Sequence, residues 1–532
     1  MEAWKEKRFR EFRKCLLPFS EFSEEIVSSV SKKNLISRKR AREKHKENDQ
    51  KAKRSCLLTS ERYKKMLENN SNELLIPDGP IFTSTLQDPS SNLLNDKQNQ
   101  KENLETKSEK EHSKEDTLNK PQSCYVCKRL YHQLHFFYHK LCQECGEFNF
   151  SKRDLKVDLS GKIALVTGGR IKIGYYTALK LLRCGAKVII TTRFPNDSIL
   201  RFSKEPDYLT WKERLSIFAL DFRNIPLVEN FAIYLSRTLP QLDILINNAC
   251  QTIRRPPAYY HHLLENESKP IENLLPNSTH HLSDFMNFTS NYPSKIISTT
   301  PKSQLLLTES NTIESVSSSL LTTTGSQQHQ PFSSVQTTLT PLLPSDHLID
   351  LSLFPKGKLD TQNQQVDLRP QTSWNLQLHQ VETIELLEVM LINSTAPFVL
   401  LSKLYPLLSS TPKTIPKYVV NVSSMEGKFA RPSKTCFHPH NNMGKAALNM
   451  ITRTCAEEYQ KQGIYITSVD TGWINEENAF GIAKKKFNER GFQTPLDEID
   501  AVARILDPVF LGETEKKYLY GVFLKNFVPT SW

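Results

Sequence analysis

No run in the 532 residues reaches the 18 or so consecutive apolar residues that a membrane-spanning helix needs. An apolar leader is missing too. The chain starts MEAWKEKRFREFRK, too charged for a secretory signal, so an intracellular, cytoplasmic home is expected. Apolar residues are scarce throughout, at 38% with a mean hydropathy of −0.48. Part of the chain therefore lacks the means to bury a core and is expected to be disordered. Ten cysteines are present, and in an intracellular chain they argue for metal ligands and free thiols over disulfides.

The net charge of +12 is concentrated rather than spread. Between Arg38 and Arg54 nine Lys/Arg stand against three acidic residues, with no Pro or Gly. The run reads as a solvated charged helix or tail, with a nuclear address or nucleic-acid patch as the sharper alternative. Residues 1–120 as a whole are polar and charged, and are expected to form a mostly disordered basic arm with helical fragments near Trp4–Phe19.

Residues 121–150 hold Cys124-x-x-Cys127 and Cys142-x-x-Cys145, two chelating pairs separated by 14 residues. Four thiolates at this spacing match a tetrahedral, structural Zn²⁺ in a small zinc-ribbon-like module. His132, His135 and His139 lie between the pairs, but a complete Cys₄ set needs none of them. A closed four-ligand site has no position for water, so it folds the module or docks a protein partner. Nucleic acid is the less expected partner, because the aromatic loop between the pairs has only Lys128, Arg129 and Lys140 to meet phosphates.

From residue 155 short apolar runs alternate with helical periodicity: IALVTG, YYTALKLL, KVIITT. That alternation predicts βαβ units and an α/β fold, a Rossmann-type doubly wound parallel sheet over 155–532. Between about 256 and 372 the periodicity stops, and 20 of the 43 residues from Ser298 to Thr340 are Ser or Thr. This segment is expected to be a disordered insertion, tolerated because loop-closure entropy grows only logarithmically. Residues 155–255 and 373–532 make 261 residues, the size of one doubly wound domain.

The first strand runs into Thr167-Gly168-Gly169-Arg170-Ile171-Lys172-Ile173-Gly174 and then a helix. Glycines at such a turn let the backbone approach a pyrophosphate, which the helix N-terminus attracts. The next strand ends in Arg193, and Arg170 and Lys172 in the turn are expected to add positive charge nearby. An acidic residue at the strand end would bind a ribose 2′-hydroxyl, whereas arginine suits a 2′-phosphate, so the expected cofactor is NADP(H) rather than NAD(H).

The T-G-x-x-x-x-x-G turn, Asp221 after RLSIFAL, Asn247-Asn248-Ala249, Asn393, the VNVSS strand with Ser423 and Ser424, and Lys445 in KAALNM occur in the order of the short-chain dehydrogenase/reductase family, which the chain resembles. The resemblance implies a seven-stranded parallel sheet with the cofactor across the carboxyl ends of its strands. It implies that Asp221 contacts adenine, that Asn248 holds the central strand, and that Thr471 borders the cofactor. Ser424, Lys445 and Asn393 are implied catalytic groups, and Lys445 also holds the cofactor's ribose.

Three positions depart from the family. Lys172 replaces the middle glycine of the turn, Thr471-Gly472 stands for Pro-Gly, and Asn441 occupies the place of the active-site tyrosine, four residues before Lys445. A lysine one helical turn from a phenol lowers its pKa and makes it an acid or base near neutrality. An asparagine amide polarises a carbonyl but transfers no proton. His438 and His440, just before Asn441, are the nearest titratable replacements; the step of 17 residues from Ser424 to Asn441 is four longer than in the family the chain resembles, and Phe437, at the usual spacing, has no hydroxyl. Two readings follow. One is an NADP(H)-dependent oxidoreductase acting on a small carbonyl or alcohol substrate with a non-standard proton donor. The other is a catalytically inactive cofactor-binding scaffold or sensor with a zinc interaction module.

Overall fold

The computed structural model describes residues 39–70, 117–292, 332–347, 350–360, 362–431 and 433–532. The expected helical fragments near Trp4–Phe19 and most of the Ser/Thr-rich stretch lie outside the described residues. The chain divides into two compact units, Met1–Glu147 and Phe148–Trp532.

In the first unit β1 (Thr117–Ser123) and β2 (Leu130–Gln133) form an antiparallel hairpin whose turn holds Cys124 and Cys127, while Cys142 and Cys145 lie at the start of helix Gln143–Arg153. Part of the arm expected to be disordered is folded against it. Helix 39–55 and helix Leu57–Asn70 bury Ala52 and Cys56 with Leu118 and Leu134. The Leu57 and Leu58 amides donate to the Phe136 and Phe137 carbonyls at 3.0 and 3.3 Å, and Asp49 accepts from the Asn119 amide at 2.7 Å. The anchoring residues are few and sit at the end of a strongly charged run, so their stripe is faint in the sequence.

The second unit holds one sheet of eight strands: β3 (Ile163–Thr167), β4 (Lys187–Thr192), β5 (Leu215–Ala219), β6 (Ile244–Asn247), β7 (Lys417–Ser423), β8 (Ile464–Asp470), β9 (Phe523–Lys525) and β10 (Val528–Thr530). Their order is β10-β9-β8-β7-β6-β3-β4-β5. The seven expected parallel strands are present, with β10 added antiparallel at the edge. The strands read as continuous apolar runs because both faces are covered. Ala164 and Val166 of β3 join one buried cluster, and Ile163 and Leu165 join the other. Strand order reverses between β3 and β6, which is where such sheets bind ligands.

The insertion is not a disordered loop where it is described. Helices His261–Glu267 and His280–Asn291, and α1 (Ser333–Leu339), are built into the domain. Phe285 and Phe288 pack on Phe218 with ring centroids 6.1 and 6.2 Å apart. Their neighbours in sequence are polar, so burial comes from distant aromatic residues and leaves no local period to read. The run Thr383–Lys403 is long and apolar enough to cross a membrane by composition. It is instead a core helix, burying Val389, Ala396, Leu400 and Leu401.

Glu267 ties the insertion to the start of helix Pro195–Phe202 by accepting from the Asn196 and Asp197 amides at 3.3 and 2.9 Å. Burial pushes its carboxyl from 4.5 up to about 8. A carboxyl raised in the folded state stabilises fully below its unfolded value and loses that contribution as pH rises towards 8. The melting temperature should therefore fall between pH 5 and 8, and Glu267→Gln should flatten that slope. An unchanged slope in thermal melts of the variant would refute the assignment.

Candidate functional site

The cleft at the carboxyl ends of β3, β6 and β7 is built from the glycine turn outward. Gly168 has φ +69°, and a Cβ there would lie 3.0 Å from the Ala249 backbone. At Gly174 a Cβ would meet the Gly168 carbonyl at 2.1 Å and the Asn248 amide at 2.5 Å, so helix α2 (Lys172–Arg183) fits against the strand only with glycine there. Gly169 is equally confined by Ile190. Asn248 Nδ2 donates to the Thr167 and Gly168 carbonyls at 3.0 and 3.2 Å, and Thr167 Oγ1 accepts from the Asn248 and Ala249 amides at 2.9 and 3.0 Å. These bonds join the end of β3 to the residues that follow β6.

Lys172 adopts φ +53°, the left-handed conformation that its family position gives to glycine, at a cost of about 1–2 kcal/mol. Ile171 at the N-cap makes no side-chain cap, so the first amides of α2 have no capping side chain to satisfy them. Ile173 packs at the edge of the core. Arg170, expected to add positive charge for the cofactor, is instead buried and pairs with Asp197 at 2.5 Å and Gln364 at 2.9 Å. Arg193 follows β4 as expected, but its guanidinium lies over the Tyr260 ring, 4.9 Å from the centroid, and donates to Tyr260 Oη at 3.0 Å. Burial alone would raise the Asp221 carboxyl; the adjoining Arg223 guanidinium outweighs it and holds Asp221 below the usual carboxylate range.

Helix α4 (Pro439–Gln460) carries the other end of the site, opening before the expected start at Lys445, and α3 (Thr383–Met390) packs beside it. Lys445 Nζ donates to the Val422 carbonyl of β7 at 2.8 Å. Ser424 caps the turn after β7, its Oγ accepting from the Glu426 amide at 3.2 Å. A Cβ at Gly427 would lie 2.6 Å from the Lys445 backbone, so the Ser424 turn and the lysine are packed together. Asn393 lies in a wide turn, Leu391–Thr395, and its amide bridges to the Gln251 N–H at 2.8 Å and carbonyl at 3.3 Å. Thr471 follows β8, with Gly472 at φ +82°.

Asn441 is buried, and its amide donates to the Thr252 carbonyl at 3.0 Å. The His440 ring lies 3.3 Å from that amide and 3.3 Å from Glu385 on α3. Burial opposes ionisation of Glu385, but the His440 contact and its other partners hold the carboxyl below its ordinary value. His440 is buried beside Asn441, and its Nδ1 has no partner among the described residues. His438 stacks on Trp374 with centroids 3.9 Å apart and faces Glu426 at 3.4 Å. That contact, reinforced by Arg431, lowers the Glu426 carboxyl to about 2. The loop between Ser424 and Asn441 is thus pinned through His438 and Glu426. The His440–Glu385 contact was not legible in the sequence, since its members are 55 positions apart and no motif links them.

In the first unit the sulfurs of Cys124, Cys127, Cys142 and Cys145 all lie within 4.8 Å of one another. Cys127 and Cys142 Sγ are 3.7 Å apart, against roughly 3.8 Å for two ligands of a tetrahedral ion at the usual Zn–S length. Cys124 Sγ accepts from the Cys142 amide at 3.3 Å. The histidines face elsewhere: His132 contacts the Leu118 carbonyl, His139 contacts Thr59, and His135 accepts from the Phe137 amide.

Two family descriptions match the second unit on either side of the insertion. "Short chain dehydrogenase" matches residues 162–269 and "Enoyl-(Acyl carrier protein) reductase" matches 359–520. Uncharacterized protein R665 of Acanthamoeba polyphaga mimivirus is 29% identical over 401 residues, 73% of this chain and 71% of its own length. The short chain dehydrogenase/reductase dpfgH of Gibberella zeae is 38% identical over 93 residues, 17% of this chain and 27% of its own length. Among solved structures, NADPH-bound carbonyl reductase from chicken fatty liver is 15% identical, with TM-score 0.39, covering 71% of this chain and 100% of that one. Sheet order, glycine turn and the family matches flanking the insertion agree: the chain belongs to the short-chain dehydrogenase/reductase family of oxidoreductases.

Proposed function

We propose that the second unit is an NADP(H)-dependent oxidoreductase acting on a small carbonyl or alcohol, and that Lys445 rather than a tyrosine supplies the proton. The observation that carries this reading is the half-buried Lys445 ammonium, fixed at the end of β7 beside the Ser424 turn, while Asn441 is committed to Thr252. The chain fits the cofactor at the turn, where the cradle that a Cβ at Gly174 would fill and the uncapped start of α2 suit a pyrophosphate. Arg193 at the end of β4 suits a 2′-phosphate.

When bound, NADPH supplies the hydride to the carbonyl carbon. Ser424 Oγ donates a hydrogen bond to the carbonyl oxygen as negative charge grows on it. Lys445 gives its proton to that oxygen and takes another from solvent, leaving an alcohol. Asn393 acts as a bridge, holding the loop after β6 in place through Gln251.

Lys445→Arg keeps the charge but removes a transferable proton. It should retain NADPH binding and lower kcat by about 10²–10⁴-fold, and Ser424→Ala should lower kcat by about 10²-fold. Steady-state reduction of a panel of aldehydes and ketones checks both. Full activity of the arginine variant would exclude Lys445 as the donor. The bond from Asn441 to Thr252 favours a second reading, a nucleotide-binding sensor without turnover, which NADPH binding with no reduction of any carbonyl would support.

For the first unit, the near-tetrahedral sulfur spacing supports one structural Zn²⁺ held by Cys124, Cys127, Cys142 and Cys145. The full chain should contain one zinc per molecule by elemental analysis. Cys142→Ser with Cys145→Ser should remove it and leave NADPH affinity unchanged. Retained zinc would refute the ligand set, and lost affinity would refute the functional separation of the units.

A further inference from the structure

Helix α1 of the insertion lies on the residues that follow β4 and β5, where the adenosine half of a dinucleotide belongs in a sheet of this strand order. Ser334 Oγ of α1 donates to the Arg193 carbonyl at 2.9 Å. Val335 is fully buried in one apolar cluster with Phe194 and Tyr260. Thr338 Oγ1 shares its one proton between Asp221 at 3.1 Å and the Ser334 carbonyl at 2.8 Å, and the Thr337 carbonyl accepts from Arg223 Nη2 at 2.8 Å. One donor to a carboxylate and one acceptor from a guanidinium is also what an adenine edge offers, with its N6 amino group beside N7. Val335 fills the apolar space that a base would otherwise occupy.

From this we infer that α1 is an intramolecular stand-in for the adenosine half of the cofactor: it closes the nucleotide site of the free protein and is displaced when NADP(H) binds. The inference rests on the reading of the cleft as an NADP(H) site. It names a regulation of that site, because apparent affinity falls by the fraction of molecules with α1 withdrawn. The displaced part is short. Seven residues, rich in Ser and Thr, have little helical stability of their own. Seven residues beyond Leu339 the chain is tethered, with Asp346 accepting two bonds from Arg254 at 2.7 Å each. Helix α1 can therefore leave without releasing the rest of the insertion.

The test uses the full chain and adenosine 2′,5′-bisphosphate, with affinity measured by calorimetry and hydrogen exchange followed by mass spectrometry. Val335→Asn, which expels α1 from the apolar slot, should tighten binding about tenfold. Thr338→Val, which keeps the shape and removes the donor, should tighten it by a smaller factor. Saturating nucleotide should speed exchange at 333–339 and leave 342–347 protected. Equal or weaker binding by both variants, or slower exchange at 333–339, would overturn the displacement and make α1 a wall of the site. In that case wild-type binding leaves the cofactor reading standing. No binding to any of the three proteins would overturn both.

Discussion

The segments that follow β5 and β6 depend on one ladder of alternating charges. Asp221 follows β5 and pairs with Arg223 at 2.7 Å, Arg223 pairs with Glu388 of α3 at 2.9 Å, and Glu388 pairs with Arg254 after β6 at 3.1 Å. Arg254 then pairs with Asp346 of the insertion at 2.7 Å. None of the five side chains is more than 13% exposed, so each charge needs its neighbours. Removing one partner from such a pair costs about 3–5 kcal/mol, chiefly because the other is left buried and uncompensated. Gln251 is drawn in as well, donating to Glu388 at 2.9 Å while its backbone meets Asn393. The strand ends, the helix before β7 and the insertion therefore form one electrostatic unit.

This ladder also explains what was legible in the sequence. The parallel sheet was readable because both faces of each strand are buried, which gives runs such as IALVT and KVIITT that few other structures require. The glycine turn and the Asn248 knot were readable because their constraints are local or fall in a dense motif. The insertion was not. Its anchors are Glu267, Phe285, Phe288, Thr338 and Asp346, isolated among polar residues and satisfied by partners far away along the chain. Arg170 misled for the same reason: its charge is plain in the sequence, but the buried Asp197 that neutralises it is 27 residues on. The helix on the cysteine module was hidden because charge dominates the run that carries it.

Chemically, the site keeps the charged and hydroxyl groups of its family and has rebuilt what surrounds the missing phenol. Asn441 is turned to a backbone carbonyl, His440 is closed in behind it with Glu385, and His438 pins the lengthened loop through Glu426. Lys445 and the Ser424 turn stand packed together at the end of β7. It also places three arginines, Arg170, Arg193 and Arg223, around the adenosine end, each already engaged by groups of the chain.

The central claim is that this cleft takes a nicotinamide dinucleotide and reads its 2′-phosphate through Arg193. The direct measurement is a calorimetric titration of the full chain with NADPH and with NADH, repeated on Arg193→Asp. The ratio of the two affinities is informative whatever covers the site, because a closed fraction weakens both ligands equally. The account predicts that NADPH binds at least about tenfold more tightly than NADH and that Arg193→Asp abolishes the preference, as expected when a charge-assisted phosphate contact is lost. Equal affinities in the wild type, or a preference that survives Arg193→Asp, would contradict it.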